Sequence, residues 1–249
     1  SSVPLWFLAQ MAAEQVTVVL SGEGADEIFG GYAWYEDNPS VAKYKRMVPF
    51  GVRRALGKAA KHMPYFKGHN FLMKGAEMAE EYFVGQALVW PEREVSNVLR
   101  PEYDKGEGAF ELAAPIYARV SDKSELIRKQ YLDMNMWLPG DILLKADKMC
   151  MAHSLELRVP FLDRRVMEFA EHIPDRYRVN ENGNKLVLRH AANKSLPDEW
   201  ATRPKVGFPV PMIYWLREEK WYNWVKEYFA APWASEFFDC DVLMGLLDE

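Results

Sequence analysis

One stretch near the start of the chain limits the fold most, because it joins a strand, a glycine turn and a helix. Val16 to Leu20 is an apolar run rich in β-branched residues, which is typical of a strand buried on both faces of a sheet. Two glycines within residues 21–24 allow a sharp turn, and Ala25 to Phe29 predicts a helical turn. Open α/β sheets bind ligands at such junctions. The stretch therefore predicts an α/β domain with a ligand site at this turn.

The same turn carries three carboxylates within five residues, Glu23, Asp26 and Glu27. Carboxylates beside a phosphate site commonly hold a metal ion or move a proton. The alternative is an ordinary acidic first turn, because the helix dipole favours negative charge there. This stretch alone leaves both interpretations open.

The composition is that of an ordinary globular protein, with 249 residues, 49% hydrophobic and 27% charged, enough for one large domain or two small ones. No apolar run approaches the roughly 18 residues of a membrane span, and the N-terminus lacks the basic region of a signal peptide. The two cysteines, Cys150 and Cys240, suggest no disulfide framework, so we expect a cytoplasmic protein. Cys150 and His153 have a spacing compatible with metal ligation, but without a second such pair a core thiol is favoured.

The charge is uneven along the chain, whose formal net charge is -5. Residues 38–76 contain nine Lys or Arg and no Asp or Glu. Such a segment could attract nucleic acid or an anionic substrate. A solvated helical face is favoured, because no nucleic-acid motif accompanies the charge. We therefore expect neither a nucleic-acid nor a membrane partner.

Much of the rest of the chain predicts helices. They include Pro4–Glu14, Glu77–Val89 and a helix from Ser124, a suitable N-cap, to Met136. Pro139 and Gly140 predict its end. Asp141 can then cap a further helix that runs to about His153, and Asp141, Lys145 and Lys148 share one face of it. A solvated ladder of charges is the alternative reading of that face.

Three later stretches have distinct patterns. Leu155–Asp163 predicts an extended connector, because Pro160 disfavours a helix at the residue before it. Residues 203–211 predict a rigid loop that could fix the ammonium of Lys205, although on local sequence an ordinary surface loop is favoured. Trp221, Trp224 and Tyr228 recur at helical spacing and predict a packing stripe.

Three blocks of the chain resemble the asparagine synthetase family, the glutamine-hydrolysing enzymes with an ATP-pyrophosphatase synthetase domain. The blocks are residues 16–32 with SGEGADEIFGGY, residues 138–163 with LPGDILLKADKMCMAHSLELRVPFLD, and residues 203–208 with RPKVGF. The resemblance implies a parent α/β domain, adenine nucleotide alpha hydrolase-like with a parallel sheet. Within it we expect this chain to be mostly α-helical, with one core strand at about residues 16–20.

The resemblance also implies a reaction and roles for particular residues. ATP would activate the side-chain carboxylate of aspartate to β-aspartyl-AMP, and ammonia from glutamine would displace AMP to give asparagine. Ser21 and Gly22 would contact the nucleotide, Glu23 would serve adenylate formation and ammonia attack, and Lys205 would hold the phosphates. Asp26 would bind Mg²⁺ at the pyrophosphate. Further candidates in the same blocks are Tyr32, Asp141 and Lys145.

Two parts of the family pattern are not found in this sequence. One is the pyrophosphate loop SGGxDS, and the other is the N-terminal glutaminase domain with its cysteine nucleophile. We therefore expect residues 1–249 to be the C-terminal portion of a synthetase domain that starts within an α/β fold. We expect this piece alone to be inactive and to self-associate, and the full-length enzyme to form a homodimer.

Two other functions stay open at this stage. The first is a related amidotransferase that acts on a peptide or cell-envelope carboxylate. Glu23 argues against the β-lactam-forming relatives, which lack a glutamate at that turn. The second is a non-catalytic module of the same fold that only binds nucleotide. Nucleotide binding and turnover by the full-length protein would separate an enzyme from a module.

Overall fold

Two short parallel strands and many helices make up the computed structural model, which describes residues 2–64, 66–85, 90, 92–204 and 210–248. The strands are β1 (Val18–Leu20) and β2 (Glu156–Arg158). The α-helices, in chain order, are α1 (Ser2–Ala13), α2 (Ala25–Phe29), α3 (Pro39–Met47), α4 (Phe50–Lys61), α5 (His69–Ala76), α6 (Ala79–Tyr82), α7 (Glu92–Val98), α8 (Ala109–Ala118), α9 (Glu125–Asn135), α10 (Leu144–Met151), α11 (Arg164–Glu171), α12 (Leu186–Ala192), α13 (Asp198–Ala201), α14 (Met212–Leu216), α15 (Glu219–Phe229), α16 (Ala234–Phe237) and α17 (Cys240–Asp248). Short 3-10 turns occur at Ala33–Tyr35, Pro160–Leu162 and Asp175–Tyr177. None of the described helices is both long and apolar enough to cross a membrane.

The strands correct the expectation of a single core strand. β1 covers residues 18–20 rather than 16–20, and it pairs in parallel with β2, so that Val19 lies opposite Leu157. The segment predicted to be an extended connector therefore contains a strand. Little in the sequence indicated this strand, because it has one half-buried leucine between two exposed charged residues and Pro160 follows two residues later.

β1 is also less buried than predicted. Val18 is 47% exposed and Leu20 is 76% exposed, so the prediction of a strand buried on both faces is wrong for the described chain. Val19 points the other way, into a small core where Ala9 of α1 meets Cys150 of α10. One face of the sheet is thus covered by α1 and α10, and Cys150 is the core thiol that the sequence favoured.

The helical predictions need two further corrections. The helix expected over residues 77–89 is confined to α6, and residues 86–89 lie outside the described part of the chain. Helix α9 ends at Asn135, as predicted, but Pro139 and Gly140 lie in a π-helical turn, Leu138–Leu143, that runs directly into α10. Proline is tolerated at the start of such a turn, where its missing N–H would have no helical partner. Asp141 consequently lies inside the π-helical turn and caps nothing.

The aromatic stripe forms a helix as predicted, but it is not buried by the described residues. Trp221 is 39% exposed, Trp224 is 51% exposed and Tyr228 is 48% exposed, all on α15. By contrast, the predicted cap of α9 is confirmed, because Ser124 Oγ accepts a hydrogen bond of 3.3 Å from the Ile127 N–H.

Helix α2 packs against α9 and against the C-terminal end of α11. Ala25, Ile28 and Phe29 of α2 are buried against Ala170 and Ile173, at and just after the end of α11. On another face of α9, Leu132 joins a second core that includes aromatic side chains. A five-residue helix has little stability of its own, so its position depends on this packing.

Asp133 of α9 is completely buried, yet it is a carboxylate. Its Oδ2 accepts hydrogen bonds from the Tyr35 hydroxyl at 2.6 Å and from Trp34 Nε1 at 3.3 Å. Its Oδ1 is buried with no hydrogen-bond partner among the described residues. Burial raises the pKa of Asp133 to about 6, although the Tyr35 and Trp34 hydrogen bonds act in the opposite direction. An ionised Asp133 therefore opposes folding above that pH.

We expect Asp133→Asn to change how stability depends on pH. Because the folded-state pKa of Asp133 is raised, its contribution to stability is full below about pH 4 and is lost as the pH rises through about 6. Relative to the wild type, the variant should gain up to about 3 kcal/mol between pH 4 and pH 8. Urea unfolding at the two pH values, followed by tryptophan fluorescence, measures this. A difference between the two proteins that is the same at both pH values would contradict it.

Candidate functional site

The glycine turn begins where the two parallel strands end. The Ser21 N–H donates a hydrogen bond of 2.8 Å to the carbonyl of Arg158, which fixes the turn to the end of β2. Gly24 has a φ of 86°, and the Leu162 side chain occupies the space that a Cβ at Gly24 would need. The first and second motif blocks are therefore packed together through a glycine and a leucine. This junction brings residues from both blocks to one edge of the sheet.

Glu23 lies in this turn with its side chain half-buried. Burial is the main cause that raises the pKa of its carboxyl, and Lys145 lowers it. The nearby carboxylates of Glu27, Asp26 and Asp141 raise it further. Lys145 in turn forms an ion pair of 3.1 Å with Asp141. The structure thus places the sequence-predicted residues Glu23, Asp141 and Lys145 within electrostatic reach of one another.

Asp26 faces a lysine that the sequence analysis missed. Its Oδ1 lies 3.0 Å from Nζ of Lys185, and both side chains are largely buried. A Cβ at Gly31 would overlap with the Asp26 carboxylate and with Cε of Lys185. Glycine at this position therefore leaves the space in which the ion pair forms. The signal in the sequence was slight: a single lysine between the polar turn of residues 180–184 and an apolar helix.

Tyr32 is turned toward Glu27, which is only 1% exposed. The Tyr32 hydroxyl donates a hydrogen bond of 2.6 Å to Glu27 Oε1 and accepts one of 3.3 Å from Trp137 Nε1. Burial and the adjacent Glu27 raise the pKa of Tyr32, so its hydroxyl stays protonated. Tyr32 also stacks on Trp34, with ring centroids 4.1 Å apart. Tyr32 thus holds the buried Glu27 carboxylate in place through this hydrogen bond.

Three other candidates have different surroundings. The backbone N–H of Ser21 is engaged by Arg158, and its Oγ accepts a weak hydrogen bond of 3.3 Å from the Glu23 N–H. Gly22 is exposed, with open space around the position of a Cβ. Lys205 lies outside the described residues. Gly22 is therefore the point at which a ligand could approach the turn backbone most closely.

The described residues contain no group of three Asp, Glu, His or Cys side chains that could hold a metal ion alone. Mg²⁺ commonly takes one or two carboxylates together with substrate phosphates, so a full protein cage is not required. Asp26 fits that role by its oxygen donors and its position two residues after Gly24. Cys150 lies in a small core, and His153 packs edge-on against Trp6, at 4.3 Å between ring centroids.

A cavity of about 670 Å³ lies elsewhere, lined by residues that include Ile28, Gln130 and Arg178. None of the sequence-predicted site residues lines it. The acidic turn remains the better candidate site, because carboxylates and lysines converge there and the chemistry of a site depends on such groups rather than on volume.

Comparison with known proteins identifies the family. The profile of the family described as asparagine synthase matches residues 1–249. The chain belongs to the asparagine synthase family. It is 37% identical to asparagine synthetase [glutamine-hydrolyzing] 1 of Bacillus subtilis (strain 168), over 100% of this chain and 39% of that protein. These matches confirm the resemblance carried by the three motif blocks.

Two further relatives show how the similarity varies within the asparagine synthase family. Asparagine synthetase [glutamine-hydrolyzing] 3 of Bacillus subtilis (strain 168) is 30% identical over 82% of this chain and 28% of its own length. The human asparagine synthetase [glutamine-hydrolyzing] is 34% identical over 49% of this chain and 22% of its own length. The chain thus spans less than two fifths of the length of these relatives.

We expect Gly31→Ala to separate Asp26 from Lys185, because the added methyl group would occupy the space of their ion pair. Loss of the pair should make Lys185 about two- to fivefold more reactive toward acetic anhydride, the factor expected for an ion pair worth up to about 1 kcal/mol. Mass spectrometry would quantify acetylation of Lys185 relative to the exposed Lys74.

Gly51→Ala is the matched control, because a Cβ at Gly51 would contact nothing within 4 Å. Its Lys185 should react as in the wild type. Unchanged reactivity of Lys185 in Gly31→Ala would show that the glycine is not needed for the pair.

Proposed function

We propose that the full-length protein containing this chain is a glutamine-hydrolysing asparagine synthetase. It converts aspartate, ATP and glutamine-derived ammonia to asparagine, AMP and pyrophosphate through β-aspartyl-AMP. One observation carries the proposal: a half-buried Glu23 beside Lys145 and an Asp26–Lys185 pair lie together where two parallel strands end. This is a place where open α/β sheets bind nucleotides.

Glu23 is the proposed proton acceptor. When ammonia attacks the adenylate, its nitrogen becomes positively charged and must lose a proton. A carboxylate with a raised pKa is a stronger base than an ordinary one, and burial provides that increase here. Lys145 opposes the increase and so favours the ionised form of Glu23. Asp141 holds Lys145 in place through its ion pair.

Asp26 and Lys185 are assigned to the phosphate side of the site, the part that binds the phosphates of ATP. Lys185 supplies a positive charge at the turn, and Lys205 supplies a second from the loop of the third motif block. Gly22, and Ser21 through its carbonyl and hydroxyl, contact the nucleotide. Asp26 would hold Mg²⁺, which when bound neutralises charge on the departing pyrophosphate. Tyr32 keeps Glu27 in place behind these groups.

The remaining parts of the reaction belong to segments beyond residues 1–249. A glutaminase domain would release ammonia from glutamine, and the pyrophosphate loop would complete the nucleotide site. Residues 1–249 are then the C-terminal portion of the synthetase domain, and the full-length enzyme is a cytoplasmic homodimer. Testing aspartate against a peptide that carries a free carboxylate, in ATP–pyrophosphate exchange, separates this function from that of an amidotransferase with a larger substrate. Nucleotide binding without exchange would indicate a non-catalytic module.

We expect Glu23→Gln in the full-length enzyme to abolish asparagine synthesis and to leave glutamine hydrolysis intact. The amide keeps the shape of the side chain but cannot accept the proton, and loss of such a group typically costs about 10²–10⁴ in rate. Parallel assays of asparagine and glutamate formation measure both activities. Synthesis at the wild-type rate would remove Glu23 from the mechanism.

We expect Lys145→Met to shift the acidic limb of the pH–rate profile to higher pH. The wild-type limb should lie above the ordinary glutamate value of 4.5, because burial raises the pKa of Glu23. Lys145 lowers that pKa, so its removal raises it, and less acidic solutions then already protonate the base. Lys148→Met, at an exposed position of the same helix, is the control and should leave the limb in place. A limb that does not move in Lys145→Met would contradict the assignment of Glu23 as the base.

A further inference from the structure

Helix α2 carries Asp26 and is only five residues long, so it makes few internal hydrogen bonds. Two side chains from other elements hold its last carbonyls. Gln130 Nε2 donates to the carbonyl of Glu27 at 2.6 Å and to that of Ile28 at 3.1 Å. Arg178 Nη1 donates to the same Ile28 carbonyl at 2.6 Å. The position of α2 therefore depends on Gln130 and Arg178.

Arg178 is a buried cation, only 5% exposed, and among the described residues no carboxylate lies within ion-pair distance of it. Its guanidinium instead donates to main-chain carbonyls. Besides Ile28, these are Ile173 at 3.2 Å and Ala170, near the C-terminal end of α11. Helix C-termini carry partial negative charge, which favours a cation there. One planar guanidinium thus joins the ends of α2 and α11.

The main chain of Arg178 is attached to the other half of the ion pair. Its carbonyl accepts a hydrogen bond of 3.2 Å from the N–H of Leu186, the residue directly after Lys185. Gly30, directly after α2, lets residues 178 and 179 approach the end of that helix closely. A Cβ at Gly30 would stand 2.7 Å from Val179 Cγ2 and 3.5 Å from Arg178 Cβ. Arg178 therefore contacts both the helix that carries Asp26 and the segment that carries Lys185.

We propose that Arg178, together with Gln130, is the positioning residue that sets the separation of Asp26 and Lys185 and so orients the phosphate side of the site for adenylate formation. Its effect on adenylate formation rests on the function proposed above, whereas its effect on the ion pair does not. The fork of the guanidinium matters, because a lysine would place one point charge where Arg178 reaches three carbonyls. A misplacement of about 1 Å at a reacting centre can cost a factor of about 10².

The test compares Arg178→Lys with Arg176→Lys in the full-length protein. Arg176 is exposed two residues earlier and provides the same chemical change outside the site. In ATP–pyrophosphate exchange, Arg178→Lys should lower kcat by about 10- to 100-fold while KM for ATP changes less than about threefold. Arg176→Lys should match the wild type.

A double-mutant cycle separates positioning from general damage to the fold. In a Lys185→Met background, Arg178→Lys should lower kcat by less than about a further twofold, because the Asp26–Lys185 pair whose separation Arg178 sets is already gone. A loss of the same size in both backgrounds would overturn the proposal. Gln130→Met removes two donors to α2 and should show the same pattern, and it stands in for Arg178→Lys if that variant does not fold.

Acetylation of Lys185 relative to the exposed Lys74 gives a readout that does not depend on enzymatic turnover. Without substrates, Lys185 should react about two- to fivefold faster in Arg178→Lys and as in the wild type in Arg176→Lys. Unchanged reactivity in Arg178→Lys would overturn the positioning role. If the wild-type protein shows no aspartate-dependent exchange, the proposed function fails, and acetylation alone decides whether Arg178 positions the pair.

Discussion

The parallel pairing of β1 with β2 is the interaction on which the arrangement of the site depends. The two strands lie more than 130 residues apart in sequence, and their register places the strand of the first motif block beside the strand of the second. The Ser21–Arg158 hydrogen bond and the contact of Leu162 with Gly24 continue the pairing into the turn. Three residue pairs therefore fix the start of the turn that carries Glu23.

Glu23 and Asp26, two of the three carboxylates of this turn, have different surroundings. Glu23 is half-buried, and Lys145 from α10 lowers the pKa of its carboxyl. Asp26 instead forms a direct ion pair with Lys185. Groups of the same chemical type can take separate roles when their environments give them different chemical properties. The proposed function accordingly gives proton transfer to Glu23 and phosphate-side binding to Asp26.

The sequence predicted the strand, the turn and the acidic cluster because each depends on neighbouring residues: a β-branched run, two glycines and a short helix. It did not predict β2, since three residues with one apolar position carry almost no periodic signal. It did not predict the continuation through Pro139, because a π-helical turn is stabilised by its surroundings. Lys185 was missed for a similar reason: its φ of 50° and its contact with Asp26 depend on tertiary packing around Gly30 and Gly31. Local chemistry could be read from the chain, whereas partners from distant segments could not.

The charge of the site supports the assignment of its two sides. Four carboxylates, Glu23, Asp26, Glu27 and Asp141, lie near two described ammonium groups, those of Lys145 and Lys185. Such a site repels a polyphosphate unless further positive charge enters with it or closes over it. Burial relieves part of the excess, because it raises the pKa of Glu27 behind the turn and so favours its neutral form. In the proposed function the remaining negative charge is offset on the phosphate side, where Asp26 would hold a divalent cation and the loop that carries Lys205 would supply another positive charge. The acidity that argues against simple anion binding is therefore what favours a site for a metal–nucleotide complex.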